Sequence, residues 1–368
     1  MIRRQFLLTA LAASMSMPAI ARADEKTPAK SKPKVEVVFC LDTTGSMGGL
    51  IEGAKQKIWS ISNQIASGKP TPELKIGLVA YRDKGDAYVT QVHDLTADMD
   101  AVYRSLMSFQ AEGGGDGPEH VSAALHDAVH RVSWSQGPGL KVIFLVGDAP
   151  PHVDYQDGLD YRRHAREAAA RGIVIETIQC GADDATAAVW REVASLGAGH
   201  YARIDAQGGM PVRVTPMDAE LARLNGELSA TVVAGGTVRE QADAASRLEA
   251  RKAMPAPMAA EAAGYYAGAA RLADKDLVDL PEPEQKNELD SLRAKGAAPA
   301  ALQGKTDAEA VQYLRAQKGR RAELQGRIRE LQDRRDAYLA QEPAAKDGFD
   351  EQVVQALRDR AAAAGVRF

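Results

Sequence analysis

Between Val35 and Asp205 five short apolar runs recur, VEVVFCL, LKIGLVAY, LKVIFLVG, IVIETIQC and HYARID, with stretches of helical spacing between them. No other feature limits the fold as strongly. Strands that are apolar on both faces need cover on both faces, and parallel neighbours need a crossover long enough to hold a helix. The pattern therefore predicts an α/β fold built on a doubly wound, mostly parallel sheet. AYVTQV reads as an edge strand beside LKIGLVAY. Ile51, Ala54, Ile58, Ile61 and Ile65 follow 3, 4, 3, 4 spacing and mark an amphipathic helix after the first strand. Ala123, Ala124, Ala128 and Val129 mark a second after Pro118, and residues 165–170 a third.

The flanks of this region differ in kind. The opening MIRRQFLLTALAASMSMPAIARA carries two arginines, an apolar segment from Phe6 to Ile20 and an Ala21-Arg22-Ala23 ending. Residues 1–23 read as a secretory signal cleaved before Asp24. The apolar part falls short of the ~20 residues of a membrane span and is interrupted by serines and Pro18. Arg3-Arg4 followed by Gln5-Phe6-Leu7 also resembles a twin-arginine signal, with Ile2 where a serine or threonine is usual. By a Sec-type or twin-arginine route, the expected location is periplasmic or secreted, with no transmembrane segment after cleavage. Losing Arg3, Arg4 and Arg22 takes the net charge from −4 to −7, so no nucleic-acid partner is expected. Cys40 and Cys180 each end an apolar run and read as buried thiols rather than a bridge.

Residues 24–34 are polar and proline-bearing and read as a flexible leader. Residues 206–236 read as an extension packed on the domain of residues 35–205, with a short helix from Met217 to Leu228 and a return strand, ATVVAG. Residues 237–368 are rich in alanine and charge, almost without β-run, and read as an α-helical carboxy-terminal region. Thr306-Asp307-Ala308-Glu309 fits a capping box opening its longest helix. Leu324, Ile328, Leu331 and Tyr338 form an apolar seam that Arg335 interrupts, which favours a helical hairpin packed on the rest over a coiled coil. The arginines and lysines of this region read as a solvated helix face rather than a binding patch.

In doubly wound sheets, ligands bind beyond the carboxyl ends of the strands. There the first apolar run meets Asp42-Thr43-Thr44-Gly45-Ser46, and LKVIFLVG meets Asp148. Between them lies the glycine-rich loop EGGGDGPEH with Asp116 and Glu119. Carboxylates and hydroxyls suit a hard divalent cation, whereas no cysteine-and-histidine zinc site is spelled out.

Asp42-Thr43-Thr44-Gly45-Ser46 resembles the Asp-x-Ser/Thr-x-Ser signature of the von Willebrand factor type A domain, and the strand pattern over residues 35–205 and GDAPPH extend the likeness. The resemblance implies a Rossmann-like fold and a metal-ion-dependent adhesion site holding Mg²⁺, with Mn²⁺ or Ca²⁺ as substitutes. By position it implies Thr44 and Ser46 as hydroxyl ligands and Asp42 and Asp148 as carboxylates. The family usually supplies a threonine from the middle loop. This chain has Asp116-Gly117-Pro118-Glu119, so Asp116 is the expected replacement and Glu119 the second. The implied function is capture of an unidentified protein partner through its carboxylate, with Glu119, His120, His152 and Asp154 as rim residues touching it.

Other readings are weaker. FCLDTTGS also resembles the nucleophile motif of haloacid-dehalogenase-type phosphotransferases, yet the second aspartate of their acidic loop is missing and the motif order is wrong. Asp-Thr-Gly-Ser of an aspartic protease is interrupted and has no second copy. A metal-assisted hydrolase with Asp116, His120 or His152 as base is the enzyme alternative. A structural protein acting through its helical tail is the other. YRDKGDAYVT reads as a solvated hairpin, and His120 and His152 as loop hydrogen-bonders. The sequence sets no oligomeric state.

Overall fold

The computed structural model describes residues 32–115, 117–209, 212–269, 271–341, 348–362 and 365–367. The segment expected to be an export signal and most of the expected leader lie outside the described residues, as does Asp116. Among the described residues, no helix is long and apolar enough to cross a membrane.

The apolar runs form β1 (Lys34–Asp42), β2 (Glu73–Tyr81), β4 (Leu140–Gly147), β5 (Val174–Cys180) and β6 (Tyr201–Ile204), and β3 (Thr90–Thr96) is the edge strand. They make one six-stranded sheet in the order β3-β2-β1-β4-β5-β6. Only β3 runs antiparallel, beside β2. Alternation along β1 divides the core: Val35, Val37, Phe39 and Leu41 enter one apolar cluster, Val38 and Cys40 the other. Cys180 lies in the opposite cluster from Cys40, and both thiols are free and buried.

One face of the sheet is covered by α3 (Val121–His130), α4 (Tyr161–Ala170) and α5 (Asp184–Leu196), which bury Leu125, Ala165 and Trp190. The other is covered by α1 (Gly48–Ala66), α2 (Met99–Ser108) and, from the far end of the chain, α11 (Phe349–Ala361). All five apolar positions read for α1 are buried. The sequence reading passed over α2 and α5, although Asp98 and Asp183 accept backbone N–H bonds as their N-caps.

The remaining helices are α6 (Asp218–Ser229), α7 (Val238–Lys252), α8 (Ala256–Gly268), α9 (Glu282–Ala294) and α10 (Asp307–Leu339). α8 packs on α1 and α6; α10 forms the expected antiparallel hairpin with α9 through its first turns, where Arg315 Nη2 donates to Glu282 Oε1 (2.7 Å) and Leu289 and Leu292 share a cluster with Ala310 and Leu314, and then lies across α6 and α8. The Thr306–Glu309 capping box is present, and Thr237 with Glu240 forms another at α7. Leu324 and Ile328 are buried, but Tyr338 is 44% exposed, so the seam ends before it.

Two expectations for this region are corrected. ATVVAG is no return strand: Leu277 N donates to Val233 O (2.9 Å) and Gly235 N to Lys275 O (2.9 Å), tying the segment to a loop away from the sheet. Nor are the basic residues all solvated, because Arg251, Arg321 and Arg335 are buried. Arg335 Nε donates to Asp218 Oδ1 (2.7 Å) and its Nη1 to Glu261 Oε1 (2.6 Å), which explains a charged residue inside an apolar seam.

α11 fills the sheet face beside α1. Phe349 approaches Phe39 with ring centroids 5.9 Å apart, and Phe39 stacks on Phe144 at 5.5 Å. The Arg360 guanidinium pairs with the buried Glu176 of β5. The last helix is thus part of the core that supports the strand ends.

Candidate metal centre

β1 and β4 are parallel neighbours, with Leu41 opposite Val146, so Asp42 and Asp148 leave the sheet side by side. β1 lies between β2 and β4, and the chain order reverses direction across the β1/β4 pair. A crevice forms at such a switch point.

Local hydrogen bonds shape the turn after β1. Asp42 Oδ1 accepts from Thr44 N (2.9 Å) and Thr44 Oγ1 (2.6 Å), and Thr44 Oγ1 lies 3.5 Å from Ser46 Oγ. Thr43 turns the other way: its hydroxyl donates to Tyr81 O (3.0 Å) and lies 2.7 Å from the Tyr88 hydroxyl. The motif's alternation thus puts Asp42, Thr44 and Ser46 together and uses Thr43 to pin the loop to β2. Gly147 is required beside them, since a Cβ there would sit 2.4 Å from the Tyr81 hydroxyl and 3.1 Å from Asp42 Oδ2.

The middle loop crosses over this turn. Gly45 N donates to Gly113 O (3.2 Å) and Glu112 N to Thr43 O (3.1 Å). Gly114 has φ +82, and a Cβ there would lie 3.2 Å from Thr44 Cβ and 3.4 Å from Glu119 Oε1. Glu119 therefore stands near Thr44 across the loop. Its backbone is stitched to the loop after β4: Glu119 N donates to Pro150 O (2.9 Å) and His152 N to Glu119 O (3.0 Å).

Among the described residues, four buried carboxylate oxygens have no hydrogen-bond partner: Asp42 Oδ2, Asp83 Oδ1, Glu119 Oε2 and Asp279 Oδ2. Asp279 meets Arg321 through its other oxygen, whereas the first three belong to the strand-end loops. Burial is the largest cause that pushes the Asp42 carboxyl up to about 7, against the hydrogen bonds from Thr44 and with Asp148 adding repulsion. Burial likewise pushes Glu119 up to about 9, reinforced by Asp42, Asp83, Asp86 and Asp148. Such groups cost free energy when ionised without a positive partner. The donor set is all oxygen, two orphaned carboxylate oxygens belong to it, and a hard divalent cation fits it.

The segment read as a solvated hairpin does join the antiparallel strands β2 and β3, but its base is buried and works as a latch. Arg82 and Asp83 are buried. Arg82 donates to Thr43 O (3.1 Å) and Gln110 O (2.8 Å), and Asp86 accepts from Gly114 N (3.2 Å), so the loop after β2 holds both other loops.

His120 caps α3 by accepting from Ala123 N at Nδ1 (3.3 Å), while its Nε2 lies 2.9 Å from Asp157 Oδ2. Burial pulls its pKa below the ordinary value. His152 Nδ1 pairs with Asp154 Oδ1 (2.8 Å), its Nε2 is 3.4 Å from Asp83 Oδ2, and its ring stacks on Tyr155 at 4.2 Å. Asp154 is exposed on the rim. Asp148 is half-buried, and its carbonyl accepts from Thr186 Oγ1 (3.3 Å).

The family model described as von Willebrand factor A domain matches residues 36–204. Among curated proteins, von Willebrand factor A domain-containing protein 7 of Rattus norvegicus is 34% identical over 144 residues, which are 39% of this chain and 14% of the relative. The Homo sapiens protein of the same name is 35% identical over 119 residues, 32% of this chain and 12% of the relative. Alpha-protein kinase vwkA of Dictyostelium discoideum is 26% identical over 122 residues, 32% of this chain and 19% of the relative. The chain thus spans less than a fifth of these relatives' length. Among solved structures, the SpRpn10 VWA domain aligns with TM-score 0.35 and 17% identity, covering 48% of this chain and 89% of that one.

Proposed function

Residues 36–204 are a von Willebrand factor A domain, a module of protein interaction, and from that premise we propose that the β1/β4 strand ends hold a hard divalent cation and grip a partner protein through it. Mg²⁺ is the expected ion, with Mn²⁺ or Ca²⁺ as substitutes. One observation carries the reading: among the described residues, Asp42 Oδ2 and Glu119 Oε2 are both buried at this site with no hydrogen-bond partner.

Asp42, Thr44, Ser46 and Asp148 are the ligands assigned by the motif. Asp116 stays an unplaced alternative for the middle-loop position, which we give to Glu119 because its carboxylate is buried near Thr44. When bound, the ion supplies positive charge and an exchangeable coordination position for a carboxylate of the partner. Thr44 and Ser46 present neutral oxygens, so the acids set how much positive charge is left. With Glu119 included there are three acids, which favour a tightly held ion and a modest pull on an incoming carboxylate. His120, His152 and Asp154 stand at the rim where a partner would meet them. Both nitrogens of His120 are engaged and His152 is paired with Asp154, which favours binding over hydrolysis.

Thermal unfolding of the chelator-treated protein with and without millimolar Mg²⁺ tests the site. A ligand at 100 times its Kd that binds only the folded state adds about 2.7 kcal/mol. The midpoint should rise in the parent and stay put in Asp42→Ala. Equal rises in both would move the ion elsewhere. Glu119→Gln should weaken Mg²⁺ binding; unchanged affinity would return the middle-loop position to Asp116.

A further inference from the structure

On the face of the sheet away from α11, α3 and α4 pack side by side and bring three imidazoles and a carboxylate together. His126 and His130 stand one helical turn apart on α3, and His164 and Glu167 three residues apart on α4. The ring centroids of His126, His130 and His164 form a triangle with sides of 5.1, 5.1 and 5.5 Å. Glu167 Oε2 lies 2.8 Å from His130 Nε2 and 3.0 Å from His164 Nδ1. One ligand atom each from His130, His164 and Glu167 fall within 4.8 Å of one another.

We propose that this cluster is a second metal site, for a transition-metal dication of the Zn²⁺, Co²⁺ or Ni²⁺ class, held by His130, His164 and Glu167 with His126 as a fourth imidazole at the rim. Two imidazole nitrogens converge on a single carboxylate oxygen, which is the arrangement a dication replaces by taking the place of the two shared protons. Both rings can move their proton to the other nitrogen, so neutral imidazoles remain available as ligands. Nitrogen donors favour borderline metals and disfavour Mg²⁺, so the two sites differ in the ions they select.

The site has a fixed wall and an open mouth. The His164 side chain is 1% exposed and pinned beneath α3, whereas those of His130 and Glu167 are 36% and 39% exposed. An ion can therefore enter from solvent and meet a ligand that is already in position. Burial also pulls the His164 pKa down, which keeps its ring unprotonated and able to coordinate at neutral pH. Arg163 stands 3.4 Å from His164 Nε2 and must swing off that nitrogen when it takes up the ring proton. Its side chain is half exposed, so the movement is a rotamer change in solvent.

Neither helix belongs to the loops of the first site, although α3 begins directly after Glu119-His120. The test must therefore separate the two sites. Chelator-treated full-length protein, kept in excess Mg²⁺, is titrated with Co²⁺ and followed by visible absorption. One equivalent should bind, be displaced by Zn²⁺, and persist in Asp42→Ala. His130→Ala and Glu167→Gln, both at accessible positions, should each weaken it by at least about tenfold. Unchanged Co²⁺ affinity in both variants, loss of the band in Asp42→Ala, or no binding by the parent would overturn the proposal.

Discussion

At the strand ends, Asp42 and Glu119 bury carboxylate oxygens that meet no donor among the described residues, whereas among the carboxy-terminal helices the buried Arg251, Arg321 and Arg335 are each paired with a carboxylate. Arg321 is 5% exposed and reaches Thr231 Oγ1 (3.0 Å), Asp276 Oδ2 (2.6 Å) and Asp279 Oδ1 (2.5 Å). Arg251 donates to Asp100 Oδ1 (2.9 Å) and Leu272 O (2.7 Å) and lies over the Tyr266 ring, while the Tyr266 hydroxyl donates to Asp100 Oδ1 (2.8 Å). Both regions take charge out of water, but only one returns a partner for it. These pairs act as architecture, joining α7 to α2, and α10 to the segment before α7 through Thr231 and to the segment between α8 and α9 through Asp276 and Asp279. Orphaned carboxylates mark a place where the folded chain is incomplete without something positive.

The contrast predicts opposite signs for mutation. Arg321→Ala leaves Asp276 buried without its counter-ion and should destabilise by about 3–5 kcal/mol in denaturant unfolding. Asp42→Asn, measured in chelator at pH 8, should leave stability equal or higher. A loss in Asp42→Asn as large as that in Arg321→Ala would erase the distinction.

The pH dependence sharpens it further. Asp42 is held at about 7 in the folded protein against 3.8 for the free group, so over that interval the folded state carries a proton that the unfolded state has lost. The metal-free protein therefore loses stability as pH rises from about 4 to about 7, with an upper bound near 4 kcal/mol for this group. Glu119 extends the decline toward about 9. Chemical denaturation of chelated protein across this range should show the fall, flattened in Asp42→Asn/Glu119→Gln. A rise with pH would reverse the assignment of these groups as unpaired.

Two smaller effects complete the set. At a fixed Mg²⁺ concentration the stability gained from the ion should itself grow between pH 6 and 9, because the ion competes with the protons on Asp42 and Glu119. A gain independent of pH would place the ion away from both acids. Thr306→Ala removes the N-cap of α10 and should cost about 1 kcal/mol, read as a small shift of the denaturation midpoint. A loss as large as that in Arg321→Ala would mean that α10 depends on its cap as much as on its buried pairs.

Much of the sheet could be read from the chain because its signals are local. Near-continuous apolar runs of strand length and the spacing of Ile51 to Ile65 are visible within a few residues, and Asp42-Thr43-Thr44-Gly45-Ser46 follows directly on the first of those runs. The fold of residues 36–204, the buried thiols and the capping box at Thr306 were legible for that reason. The latch of Arg82, Asp83 and Asp86 was not, since its partners are 28 or more positions away and a charged loop next to a strand is usually solvated. α11 was equally hidden: its apolar face is ordinary for a helix, and nothing in it names β1 as the surface it covers. His126 and His130 showed the one-turn spacing of a ligand pair, but the completing Glu167 lies 37 positions beyond His130.

By itself, the sequence determined the alternation of strands and helices, the oxygen-rich motif at the end of β1 and the helical character of the tail. Each follows from the conformational preference and hydrophobic period of residues close together in the chain. Tertiary structure decided which acids are buried without partners, which arginines are paired, and that α3 and α4 face each other with histidines between them. These depend on long-range closure, because burial and pairing are properties of the space between elements.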